Sequence, residues 1–152
     1  MEWKLNHPIV YPTVDCAIFE DANMKHIYLA RKPNQELYRF VGGFVDPSDS
    51  SFQDAARREA FEETGVRCTI TDWVTSTRID DPRYENKEDK IITTLFTMYV
   101  SDWPKVPTAK DDIADIKLFD VKDLHEDMFV PEHKVLFFFL NGWMRRKGLI
   151  DD

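Results

Sequence analysis

Two glutamates four residues apart, Glu59 and Glu63, stand in the run Arg57-Arg58-Glu59-Ala60-Phe61-Glu62-Glu63-Thr64-Gly65-Val66. On a helix, positions i and i+4 leave the same face about one turn apart. Two carboxylates ~5 Å apart repel by about 3 kcal/mol at an effective dielectric of ~20. Glu62 and Glu63 also precede Gly65 by less than a turn, where the helix dipole disfavours negative charge. Folding stability alone would not select this arrangement. A divalent cation reverses the sign of the repulsion, and hard carboxylate oxygens suit Mg²⁺ or Mn²⁺ rather than zinc. Arg58 and Glu62 form the other i, i+4 pair, which would neutralise Glu62 and leave Glu59 and Glu63 to the metal. The competing reading of such a pair, taken by itself, is a solvated and charge-laced helix face.

The surroundings weigh toward the metal. Gly42-Gly43 interrupts an apolar, strand-like stretch at 40–45, and glycine inside a strand often marks close approach of the backbone to a ligand. A carbonyl there would reach the same cation.

The elements that must hold these groups are short. Segments 13–19, 26–31, 38–45, 67–79, 91–100 and 113–119 are rich in β-branched or aromatic residues and bounded by polar, Asn or Pro turns, as strands are. Residues 51–64 read as a helix: Ser51 with Asp54 resembles a capping box, Phe52, Ala56 and Ala60 recur at helical spacing, and Gly65 is the stop. A second helix is expected over 132–146, with apolar Val135, Leu136, Phe139, Leu140 and Trp143 on one side and basic Arg145, Arg146 and Lys147 at its end. Phe137 and Phe138 are read as core beside them. A mixed sheet sandwiched by helices follows, an α/β fold.

With 152 residues and no low-complexity stretch or repeat, 1–152 is expected to be one domain. Twenty basic residues against 28 acidic ones give a net charge of -8, which argues against holding long nucleic acid through phosphate contacts. The longest apolar run, 135–140, is far shorter than the roughly 20 residues a spanning helix needs, and no apolar leader follows Met1. Cys16 and Cys68 are far apart and suggest neither a disulfide framework nor a zinc knuckle, so a cytoplasmic setting is expected. The phosphate-loop, dinucleotide-fold, serine-hydrolase and zincin motifs all lack their residues. His7, His26, His125 and His133 are dispersed and read as structural or exposed.

Residues 43–66 resemble the Nudix box, G-x5-E-x7-R-E-U-x-E-E-x-G-U with U apolar. Arg58, Glu59, Ala60, Glu62, Glu63, Gly65 and Val66 match its second half throughout. There are two departures: Asp49 stands where the family has its first Glu, and eight residues rather than seven separate it from Arg58. The resemblance implies an α/β/α sandwich that uses Mg²⁺ to hydrolyse a nucleoside diphosphate linked to another moiety. Carried over by position, Glu59 and Glu63 are the metal ligands, Gly42 a backbone carbonyl ligand, and Arg58 with Glu62 the supporting ion pair; Asp49 receives no metal role. No protein nucleophile is then required. In several family branches a late-loop acid accepts the proton of the attacking water, and Asp111, Asp112 and Asp115 stand at about that place, Asp112 being the candidate catalytic base.

Further along, Thr77-Arg78-Ile79-Asp80-Asp81-Pro82-Arg83-Tyr84 resembles the Nudix domain of enzymes that hydrolyse ADP-ribose, including those fused to a nicotinamide-mononucleotide adenylyltransferase, whose H-x-G-H segment does not occur here. Arg78 and Arg83 are candidate phosphate contacts, Tyr84 an aromatic face for a base or ribose, and Arg39, with Arg31 behind it, a further phosphate candidate. The expected partner is therefore a small nucleotide, with ADP-ribose giving AMP and ribose 5-phosphate. Two other readings stay open: a domain that binds ADP-ribose without cleaving it, and a hydrolase of nucleoside triphosphates or capped RNA. Related ADP-ribose hydrolases are often dimers, so a homodimer is implied by the resemblance alone.

Overall fold

Alternation along residues 10–19 buries side chains on both sides, which is what a central strand requires. The computed structural model describes residues 7–85 and 87–151. Strand β1, Val10–Phe19, turns Val14, Cys16 and Ile18 to one core and Ala17 and Phe19 to the other. Strands β2 His26–Arg31, β3 Val41–Phe44, β4 Cys68–Ile79, β5 Lys90–Val100 and β6 Asp115–Asp120 complete one six-stranded mixed sheet in the order β4-β5-β1-β2-β6, with β3 on β1. β1 runs parallel to β5 along its whole length, while its other edge is divided. β3 pairs with Thr13 to Cys16, and β2 pairs with Ile18 and Phe19.

Helix α1, Phe52–Thr64, covers the Val14, Cys16 and Ile18 face, and helix α2, Lys134–Arg146, the opposite one. This is the expected α/β/α sandwich. Ser51 caps α1 by accepting the Asp54 N–H at 3.0 Å, and Gly65 ends it at φ 76° with its N–H on the Phe61 carbonyl. In α2, Leu136, Phe137, Leu140, Trp143 and Met144 are buried, and the Trp143 indole donates to Asp72 at 2.9 Å. Among the described residues no helix is long and apolar enough to cross a membrane.

Several boundaries differ from the sequence expectation. The strand expected over 38–45 shrinks to β3, with Tyr38 and Arg39 making only isolated bridges to Phe129 and Ala30. α2 begins two residues later than expected, because Pro131 starts a 3-10 turn, Pro131–His133. Phe52 lies outside the buried stripe of α1, which is Ala55, Ala56, Glu59, Ala60, Glu63 and Thr64. Small alanines let α1 sit close to the sheet, so the two carboxylates are carried on its inner face. Phe138 and Phe139, taken as core, are exposed because only one side of α2 meets the sheet.

Candidate active site

The inner face of α1 faces the divided edge of β1, and a cavity of about 410 Å³ opens there. Glu63, only 4% exposed, accepts the Gly42 N–H at 2.8 Å. A Cβ on Gly43 would stand 2.6 to 2.8 Å from the carboxylate of Glu59. The two glycines therefore let the β3 backbone reach both carboxylates.

Arg58 organises the rim. Its Nε and Nη2 clasp Asp49 at 2.9 and 2.8 Å, Nη1 donates to Glu59 at 2.9 Å and to Glu62 at 3.2 Å, and Nη2 reaches the Phe44 carbonyl at 3.1 Å. Glu62 is thus a secondary partner, and the bidentate pair is with Asp49. That fork holds the Asp49 carboxyl down at about 2 and raises the arginine. The turn before α1 is closed between Asp46 and Asp49: Asp46 N–H donates to the Asp49 carboxylate and Asp49 N–H to the Asp46 carbonyl, each at 2.8 Å. Arg58→Lys keeps the charge and loses the fork. It is expected to lower stability by about 2 kcal/mol, measured by urea unfolding, with activity down about 10- to 100-fold.

Burial dominates the electrostatics. It pushes Glu63 up to about 8, helped by the adjacent carboxyls of Asp112 and Glu59 and opposed by the Gly42 N–H. Glu59 is raised for the same leading reason, with Arg58 opposing. A cation between these carboxylates would favour their anionic forms. Among the described residues no three His, Cys, Asp or Glu side chains stand together as a complete metal cage. Mg²⁺ commonly needs just one or two carboxylates, the rest of its shell being water and substrate phosphate. Two carboxylates beside an open backbone fit that pattern.

The loop that follows β5 is tied to the end of α1. Lys110 N–H donates to the Glu63 carbonyl at 3.0 Å and Thr108 N–H to that of Thr64 at 2.9 Å. These bonds bring Asp111 and Asp112 into the cavity, where Asp112 stands 3.6 Å from Lys32 Nζ. Asp115 is drawn away instead, paired with Arg31 on the neighbouring strand at 2.5 Å. Arg31, the phosphate candidate behind Arg39, is spent on that pair.

Of the other site residues expected from sequence, Arg39 and Arg83 line the cavity with Gly42, Arg58, Glu59, Glu63 and Asp112. Arg83 is held by Asp81 at 2.7 Å and lies 5.1 Å above the Phe44 ring. Arg78 and Tyr84 line a neighbouring hollow of about 330 Å³ that shares Ile79 and Asp81 with the first. Glu62 lies outside both. Sequence reasoning missed Thr13, Asp15, Lys32 and His133, which also line the cavity. Asp15 is buried, its Oδ2 accepts the Thr93 hydroxyl at 2.5 Å, and burial lifts it to about 7. His133 accepts the Phe40 N–H on Nδ1 at 3.1 Å, which leaves its proton on Nε2, 3.6 Å from Asp15 Oδ1. Burial drives its pKa to about 3, so the ring is neutral. The available signal for Asp15 was a lone acid inside an apolar strand.

A NUDIX domain family model matches residues 11–139. Among solved structures, a UDP-X diphosphatase superposes with TM-score 0.70 at 19% identity, covering 96% of this chain and 66% of the other. The bifunctional NMN adenylyltransferase/ADP ribose pyrophosphatase of Francisella tularensis, complexed with AMP and a Mn ion, gives 0.61 at 20%, covering 91% and 43%. The MutT protein of Methanosarcina mazei Go1 gives 0.67 at 18%, covering 95% and 99%. The chain thus spans just under two thirds of the first of these and less than half of the second. No curated protein matches it.

Proposed function

The chain belongs to the NUDIX domain family, hydrolases of nucleoside diphosphates linked to another moiety, and we propose that this member cleaves ADP-ribose to AMP and ribose 5-phosphate. The observation that carries the reading is one cavity lined by Glu59, Glu63, Gly42 and Gly43 together with Lys32, Arg39 and Arg83. The carboxylates suit a cation, and the basic groups suit a diphosphate. The likeness to an ADP ribose pyrophosphatase and to a UDP-X diphosphatase supports the same substrate class.

Glu59, Glu63 and the Gly42 carbonyl would hold Mg²⁺, with Mn²⁺ as a substitute. Bound there, the cation supplies neutralisation of diphosphate charge and a more acidic water. Arg58 fixes the rotamer of Glu59 and is itself fixed by Asp49. Asp112, against Glu63 and steadied by Lys32, accepts the proton of the attacking water at its carboxylate. Arg39 and Arg83 orient the diphosphate for in-line attack. The departure at Asp49 is compatible with catalysis, since its carboxylate still anchors Arg58.

Incubation of the purified protein with ADP-ribose and Mg²⁺, followed by chromatography, is expected to yield AMP and ribose 5-phosphate, and a chelator is expected to stop the reaction. Tight binding of intact ADP-ribose without products would identify a sensor. Turnover confined to nucleoside triphosphates or capped RNA would move the substrate.

A further inference from the structure

A long cation on an exposed loop keeps much rotamer freedom and loses it on binding an anion. Arg83 is such a residue by exposure, its side chain 63% accessible, yet two neighbours fix it. Asp81, whose side chain is only 10% exposed, accepts the Arg83 Nε at 3.0 Å and Nη2 at 2.7 Å. The same carboxylate caps the 3-10 turn Pro82–Tyr84 by accepting the Arg83 N–H at 2.9 Å, and Pro82 stiffens the backbone between the two residues. The guanidinium also lies over the ring of Phe44, which shares strand β3 with Gly42. These bonds from Arg83 hold the Asp81 carboxyl below its usual range, so the acid is anionic at neutral pH. The pair just before it in the chain is built otherwise. Arg78 Nη2 reaches Asp80 at 3.3 Å, and both of those side chains are exposed.

The geometry of the fork decides what is left for a ligand. The side edge of the guanidinium, Nε with Nη2, is spent on Asp81, whereas the end edge, Nη1 with the second hydrogen of Nη2, is free of that bond. An end edge of this kind takes two oxygens of a phosphate. Asp81 and Arg83 both line the cavity, so the acid acts on an incoming diphosphate in two opposed ways. Its charge repels the anion and offsets that of Arg83. Its fork removes the ordering cost that a free arginine would meet on binding. Repulsion at an exposed arginine is screened by water and salt, whereas the ordering cost is not. We propose that Asp81 is a positioning residue for the diphosphate: it acts through Arg83, and its loss weakens binding even though the cavity becomes more positive. This rests on the hydrolytic reading of the cavity.

Calorimetric titration of the full chain in Mg²⁺ with α,β-methylene-ADP, whose P–C–P bridge resists hydrolysis, tests it. Asp81→Asn keeps the shape and a capping oxygen but turns one acceptor of the fork into a donor. It is expected to weaken the ligand by about five- to tenfold. Asp81→Ser, which caps the turn and lacks the fork, carries the test if the asparagine variant does not fold. Arg83→Gln is expected to weaken the ligand by about tenfold or more, and in that background Asp81→Asn is expected to change affinity by less than about twofold. Asp80→Asn removes the same charge from the same segment and is expected to stay within about twofold of the parent. Unchanged or tighter binding in the folded Asp81 variants overturns the inference, because charge then outweighs order. An equal loss in the Arg83→Gln background, or from Asp80→Asn, overturns it as well, as does unchanged binding in Arg83→Gln or parent protein that does not bind the ligand at millimolar concentration. Hydrolysis of ADP-ribose by the parent is scored apart. Its absence beside Arg83-dependent coupling removes the ADP-ribose assignment and keeps the role of Asp81, and the reverse pattern removes that role alone.

Discussion

Glu63→Gln is expected to lower hydrolysis of the diphosphate substrate by on the order of a thousandfold, equivalent to about 4 kcal/mol of transition-state stabilisation, without loss of the fold. The side chain is nearly isosteric and its amide can still accept the Gly42 N–H through its oxygen. What disappears is one negative charge at the proposed cation site. A stability measurement distinguishes this from simple damage. In the cation-free protein, burial puts Glu63 at about 8 against an ordinary 4.5, so between those values the folded state binds the proton that the unfolded state releases. Stability from this group therefore rises as pH falls from 8 toward 4.5. The glutamine variant lacks that contribution, and its melting temperature is expected to vary less with pH over this window than the parent's. Parent-level turnover in Mg²⁺ would remove Glu63 from the metal site.

Gly42→Ala is expected to destabilise the fold strongly. The added carbon would stand 2.1 Å from the Val14 carbonyl and 2.6 Å from Asp15 Oδ1. The first of these is backbone, held in the β1/β3 ladder, and cannot turn aside. A cost of about 3 kcal/mol or more follows, which lowers Tm by about 10 °C in a domain of this size. Gly43→Ala separates the two effects. The atoms nearest its Cβ are those of the Glu59 carboxylate, a side-chain end that can move at the cost of its Arg58 hydrogen bond, so Tm is expected to fall less than for Gly42→Ala while activity is lost. Equal melting of the Gly42→Ala variant and the parent would show that β3 is not pinned as described.

The active stretch was legible because it is local. Glu59 and Glu63 share a helix face by spacing alone, Ser51 and Gly65 mark the ends of that helix, and the glycine pair announces where backbone must approach. Contacts between distant segments were not legible in this way. Asp15 owes its surroundings to Thr93 and His133, and nothing in a strand of ten residues says what will stand above it. Arg78 and Tyr84 show a different limit. β4 carries register shifts between Ile70 and Asp72 and between Trp73 and Thr75, and Val74 and Thr75 are buried in succession. Each bulge resets which side faces inward, so the side of the sheet reached by Arg78 could not be read by counting in twos. The partner of Asp49 was hidden by spacing, since the changed separation from Arg58 gave no sign that the two side chains would pair.

The pairing of β1 with β5 also governs how the chain can be made. Each contact in that ladder joins residues 80 positions apart, from Val10 with Lys90 to Phe19 with Tyr99. As the polypeptide emerges during synthesis, α1 and the glycine pair are complete while the central strand still has one bare edge. The sheet can close only after residue 100 is available, which gives the domain a high contact order and slow folding. Until then Val14 to Phe19 present an apolar edge open to other chains. A nascent fragment halted before β5 is a species for chaperones to hold rather than a partial enzyme.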